Sequence, residues 1–186
     1  MVMVVPASTN TEDYSKILKM VRSIGASDAK VIRSSQVVVR DWVRLKCRFG
    51  CDDYGKRLTC PPFSPSPDEF RRVLAEYKWA VLLKFDAIPS KKQTLAYENS
   101  IHDLVVKMER EVFLKGYYAA FGLAAGPCPH CKECDLKDCK HPYIARPSME
   151  GCGVDVFATV RNAGYDIRVV QDENEKPTFY ALLLLE

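Results

Sequence analysis

The sequence predicts an α/β fold: one domain spanning residues 1–186, with helices flanking a mixed β-sheet. Three observations carry that reading. Capped segments of helical period alternate along the chain with short runs of β-branched, aromatic and leucine residues. A chain of 186 residues, 47% hydrophobic and 27% charged, can bury one real core without disulfide staples and is short for two domains. Seven of its eight cysteines gather in two loops that follow predicted strands, where open α/β folds place their ligands.

The elements follow in chain order. Thr9-x-x-Glu12 is a capping-box pattern ahead of Tyr14, Ile17, Leu18 and Val21, and Gly25 stops that helix. Residues 37–45 read as a strand. Ser66-Pro67-Asp68-Glu69 opens a second helix with a hydroxyl cap, a first-turn proline and acids that suit the helix dipole. Its apolar face is Phe70, Val73, Leu74 and Tyr77. A strand over 79–85 leads to Ser90-x-x-Gln93, which opens the longest helix, with Ile101, Leu104, Val105, Met108 and Val112 turned inward. A strand over 117–123 completes one βαβ unit, whose two strands are expected to be parallel neighbours. Ser148 is expected to cap a helix carrying Val154, Phe157 and Val160, with Gly164 as its stop. Residues 167–170 and 179–185 read as a C-terminal hairpin.

No basic, apolar leader precedes the first helix, and the longest apolar run, 181–185, is far too short to span a bilayer. The expectation is a cytoplasmic protein with no membrane partner. Thiols stay reduced in that compartment, so eight cysteines point to metal or redox chemistry and not to disulfides. The formal net charge of +3 is too weak to argue for nucleic acid. Arg44, Lys46, Arg48, Lys56 and Arg57 surround the first cysteines, against Asp52 and Asp53. They read as a solvated edge, or as cations that offset a cluster or receive an anionic partner. Tyr54 and Phe49 stand nearby, but no RNA-binding signature accompanies them.

The second cysteine group is the sharper signal. Cys128, Cys131, Cys134 and Cys139 are spaced C-x2-C-x2-C-x4-C, and the bacterial ferredoxin run begins with the same C-x2-C-x2-C. The fourth cysteine departs from that run by one residue, and Pro142 comes later than the ferredoxin proline. The first group is Cys47-x3-Cys51-x8-Cys60, followed by Pro61-Pro62. Three cysteines leave a four-ligand site one short, and Cys152 is the obvious candidate to complete it. Iron–sulfur clusters of the 4Fe-4S type, one or two, are the favoured cofactor, with zinc the alternative, and His130 or His141 could then replace a cysteine. The alternative for Cys152 is a small buried thiol with no ligand role. His102, in the middle of the long helix, reads as a surface or packing residue. Radical chemistry of the C-x3-C-x2-C type is excluded, because the cysteine after Cys51 is Cys60.

Cys47-Arg48-Phe49-Gly50-Cys51, Tyr54-Gly55-Lys56, Cys60-Pro61-Pro62, Gly126-Pro127-Cys128 and Arg146-Pro147-Ser148-Met149-Glu150 resemble a cysteine-rich family described as predicted metal-binding proteins of unknown function. That family is found mainly in methanogenic archaea and anaerobic bacteria. The resemblance runs from Val37 to the C-terminus and implies metal binding and an anaerobic source, but no reaction. The functional expectation is therefore electron transfer with a redox partner protein, or support of a redox enzyme. A zinc-based structural adaptor, or an enzyme using an open iron, are the other classes.

Overall fold

The computed structural model describes residues 11–86, 91–172 and 175–186. It is a mixed α/β arrangement: helices α1 (Thr11–Ile24), α2 (Val43–Gly50), α3 (Pro67–Ala75), α4 (Lys91–Phe113) and α5 (Val156–Asn162), and strands β1 (Asp28–Arg33), β2 (Trp79–Asp86), β3 (Phe121–Leu123) and β4 (Thr178–Leu184). The proposed caps at Thr9 and Ser90 lie outside the described residues. Among these helices none is long and apolar enough to cross a membrane.

The strands form one sheet in the order β1-β2-β4-β3, and every neighbouring pair is antiparallel. Side chains alternate across it with period two. Val81, Leu83, Phe85, Ala181 and Leu183 pack on one face against Ile17 and Val21 of α1 and Ile101, Val105, Met108 and Val112 of α4. Ala80, Leu82, Leu182 and Leu184 pack on the other against Phe70 and Leu74 of α3, Val160 of α5, and Met149, Cys152 and Val154. Both faces are covered, which is why β2 and β4 read as continuous apolar runs.

The topology corrects three expectations. Strands β2 and β3 point the same way across the α4 crossover, but β4 lies between them, so they are not neighbours and no parallel pair forms. The hairpin fails for the same reason: β4 has β2 on one side and β3 on the other, so no edge remains for residues 167–170. Those residues are irregular, and Val169 is 61% exposed. Residues 37–45 make only an isolated bridge, Val39 to Val154, before the chain turns at Asp41 and Trp42 into α2. The edge strand β1, of sequence DAKVIR, had no clear strand signature.

Cap chemistry placed α3 well. The Ser66 hydroxyl accepts from the Glu69 amide, and the Glu69 carboxylate accepts from the Ser66 amide. Helix α5 starts later than expected. Asp155 caps it by accepting from the Ala158 amide, whereas Ser148 accepts from the Gly151 amide just ahead of a separate 3-10 turn, Glu150–Cys152, whose N-cap is Met149.

Candidate metal centre

The first cysteine group is built into the scaffold. Cys47 is on α2, Cys51 follows its last residue and is exposed, and Cys60 is buried just before the cis Pro61-Pro62 bond. Arg44, one turn before Cys47, ties these segments together. Its guanidinium donates to the carbonyls of Gly151 (2.6 Å) and Pro65 (3.0 Å) and to the Ser64 hydroxyl (3.2 Å). Ser64 in turn donates to the same Gly151 carbonyl at 2.6 Å. Arg44 is thus a clamp joining α2, the Cys60 turn and the 150s turn, a role that its place in a run of surface cations did not reveal. Lys46, Arg48 and Lys56 are exposed.

Cys152 is in the 3-10 turn and not in the first turn of a longer helix. It is 1% exposed and belongs to the core that includes Met149 and Val154. Burial pushes its thiol up to about 12, and the charges that act on it are those of Arg44 and Glu150. The same two charges act on Cys47. Burial raises Cys60 to about 11, and the neighbouring Asp53, Cys51 and Cys47 raise it further, while the Thr59 hydroxyl beside it opposes the shift. Burial also raises Cys47, with Cys51 adding to the effect. Cys51 acts on both Cys47 and Cys60, so the three thiols are neighbours.

The second group occupies a long irregular loop pinned at its base. Ala124 bridges Ser148, with the Ala124 amide donating to the Pro147 carbonyl and the Met149 amide to the Ala124 carbonyl. Arg146 forms a part-buried two-pronged pair with Glu109 of α4 at 2.7 and 2.6 Å, and the same carboxylate accepts from the Gly122 amide at 2.7 Å. Between these anchors the loop has little structure of its own. From Cys128 to Lys140 no backbone amide or carbonyl bonds another backbone group among the described residues. Cys128, Cys131, Cys134 and Cys139 nevertheless line one small pocket together with Arg57, Thr59, His130 and His141. The space is about 20 Å³, room for a single ion or water-sized group as the chain stands and too small for an organic cofactor.

Arg57 stands between the two groups. It pairs with Asp53 at 2.7 Å and donates to the Cys131 carbonyl at 3.0 Å, and the Cys128 and Cys60 charges both act on it. Burial raises the Cys128 thiol, against the lowering action of the His130 backbone and Arg57. Leu58 and Thr59, just before Cys60, form part of the second group's wall. The two groups are therefore spatial neighbours.

Sequence reasoning missed the support beneath the loop. Glu98, His102, Val105 and Glu109 recur at helical spacing on α4 and press on the backbone of 122–126. A Cβ on Gly122 would sit 2.5 Å from Val105, and one on Gly126 would sit 2.2 Å from Glu98. Gly126 also has φ of +68°, so both its conformation and its surroundings favour glycine. His102 is fully buried. Burial holds its ring neutral, with a pKa lowered to about 4. Its ring lies edge-on to His130 at 6.2 Å, and His130 stands likewise to His141. The signal was present as glycines four apart opposite polar residues of one helix face.

Among the described residues, no group of three or more His, Cys, Asp or Glu side chains is arranged, as it stands, to hold a single metal ion. No curated protein and no solved structure matches the chain. A family model does match, over residues 30–185, a span that contains both cysteine groups, the Arg44 clamp and the whole β-sheet except the first residues of β1. The chain belongs to the family described as "Predicted metal-binding protein (DUF2284)".

Proposed function

We propose that the chain holds iron–sulfur clusters of the 4Fe-4S type and works in electron transfer or in support of a redox enzyme, in the reduced cytoplasm of an anaerobe. The observation that carries this reading is the second loop: its four cysteines line one small pocket on a segment with no backbone-to-backbone hydrogen bonds of its own among the described residues. Such a segment gains its order from what it ligates.

The donor set fits a cluster. A single zinc ion, with bonds of about 2.3 Å, would draw its sulfurs to roughly 3.8 Å from one another. A cuboidal cluster gives each thiolate its own iron and keeps the thiolates further apart. Four thiols that line one pocket at C-x2-C-x2-C spacing suit the second arrangement. Cys128, Cys131, Cys134 and Cys139 are the ligands in this reading. Cys47, Cys51 and Cys60 form a second, three-thiolate site, and Cys152 serves as core packing. When bound, a cluster supplies one-electron chemistry. Around it, Arg57 offsets negative charge and the Cys131 carbonyl is held by the same guanidinium.

The partner in this reading is an acidic redox protein. Trp42, Leu45 and Phe49 form an exposed stripe on and beside α2, with Phe49 78% exposed. Arg40, Lys46 and Arg48 flank them; of the nearby acids, Asp41 and Asp53 already pair with Arg71 and Arg57, and Asp52 is exposed. Anaerobic purification tests the metal assignment. Iron and acid-labile sulfide in comparable amounts, brown colour and a paramagnetic signal on reduction are expected. Colourless protein containing only zinc would overturn the reading in favour of a zinc adaptor.

A further inference from the structure

The loop from Cys51 to Cys60 serves both cysteine groups. Its two ends are thiols of the first group, while Arg57, Leu58 and Thr59 near its second end form one wall of the second group's pocket. Short turns fold the loop back on itself. The Tyr54 amide donates to the Cys51 carbonyl at 3.3 Å, the Cys60 amide to the Arg57 carbonyl at 3.0 Å, and the Gly55 amide to the Pro61 carbonyl at 2.8 Å. Gly55 has φ of +70°, a conformation that glycine adopts without strain. Holding Cys51 and Cys60 on one metal therefore holds the wall between them.

Arg57 carries that wall across to the second group. Its guanidinium donates to the Asp53 carboxylate at 2.7 Å and to the Cys131 carbonyl at 3.0 Å. The Arg57 and Asp53 side chains are only 20% and 28% exposed, so solvent screens this pair less than a surface one. Among the described residues, the Cys131 bond is the one hydrogen bond that reaches the backbone of 128–140 from elsewhere in the chain. The position of Arg57 thus bears directly on the position of the middle cysteine. The charges of Cys60 and Cys128 both act on Arg57, so one cation faces thiols of both groups.

We infer that this loop couples the two groups: metal held by Cys47, Cys51 and Cys60 fixes Arg57, which through the Cys131 carbonyl raises the metal affinity of Cys128, Cys131, Cys134 and Cys139. Arg57 is a positioning residue here, since it acts on a ligand's backbone and is not itself a ligand. The ordering cost falls on whichever metal binds first, and the second meets a wall already in place. Such coupling is reciprocal, so metal in the second group raises the first group's affinity by the same factor. The inference rests on the reading that both groups bind metal, and holds for iron or zinc alike.

The test adds Co2+ to the full-length, metal-stripped chain under anaerobic conditions, following visible absorption against a competing chelator. Cys51→Ser disables the first group at an exposed position and Cys131→Ser disables the second, so each variant gives the other group's own binding constant. Wild type gives the overall constant for two ions, which should exceed the product of the single-group constants at least 10-fold. The same measurements in an Arg57→Ala background should bring that ratio to one or below. A change that only loosens the fold weakens the single-group constants and leaves the ratio alone. A wild-type ratio near one, a ratio that survives Arg57→Ala, or failure of either group to take up Co2+ each overturns the proposal. Iron and sulfide analysis of untreated protein reports separately. Zinc-only protein with a ratio above 10 would end the cluster reading and keep the coupling, and iron-loaded protein with a ratio near one would do the reverse.

Discussion

The two cysteine groups solve the same problem from opposite starting points. The first is carried by a helix, the residue that follows it and a buried turn, and Arg44 cross-links the helix and that turn to the 150s turn through three acceptors. The second rides on a loop whose ends are pinned by the Ala124–Ser148 bridge and the Glu109–Arg146 pair, with no backbone ladder between. A scaffold can preform one site by ordinary packing, while the other depends on its ligand for order. Metal loss should accordingly act on the two regions unequally.

The sharpest way to break that contrast is Cys131→Ser. The middle cysteine of a C-x2-C-x2-C run has no spare neighbour, so this change should remove most of one metal centre. Limited proteolysis should then cut within 128–140 while α2 and the sheet stay protected. Unchanged metal content would mean that the group is assigned wrongly, and cleavage beginning in α2 would reverse the comparison.

Glu109→Ala attacks the loop's anchor without touching a cysteine. It leaves Arg146, whose side chain is 13% exposed, as a buried cation without its carboxylate. Breaking such a pair costs about 3–5 kcal/mol. Denaturant unfolding of metal-free protein reads this directly, and a loss below about 1 kcal/mol would show that the pair does not bear on the fold.

His102 ties the loop's support to pH. Its folded pKa, about 4, lies below the ordinary value of 6.5. The unfolded chain therefore binds more protons between those values. The contribution is full above about pH 6.5 and is lost as pH falls towards 4, with an upper size of about 3 kcal/mol. Burial moves Glu98 the other way, raising its carboxyl, so the informative quantity is the difference between wild type and His102→Leu. A wild-type stability curve that parallels the variant's from pH 7 to 4 would remove His102 from the account.

The smallest effect is expected at Cys152. Cys152→Ala should lower stability by about 1–2 kcal/mol through lost packing, with metal content and spectrum unchanged. Loss or conversion of a cluster in that variant would instead make Cys152 the fourth ligand of the first group.

Much of this molecule was legible because local chemistry suffices for it. The Ser66-Pro67-Asp68-Glu69 box starts α3 as its capping chemistry requires, and the apolar period of 101–112 places the core face of α4. Cysteine spacing alone singled out Cys128, Cys131 and Cys134, since two intervening residues let neighbouring thiols turn about one centre. Long-range pairing was not legible in the same way. Continuous apolar runs in β2 and β4 say that both faces are covered, and they carry no information on which strand lies alongside. Only the folded sheet inserts β4 between β2 and β3, which leaves residues 167–170 without an edge. Only the folded sheet brings Arg57 within reach of both cysteine groups and sets Glu98 and Glu109 on glycines far along the chain. Spacing in sequence specifies what neighbouring residues can do together; which distant residues become neighbours depends on how the whole core closes.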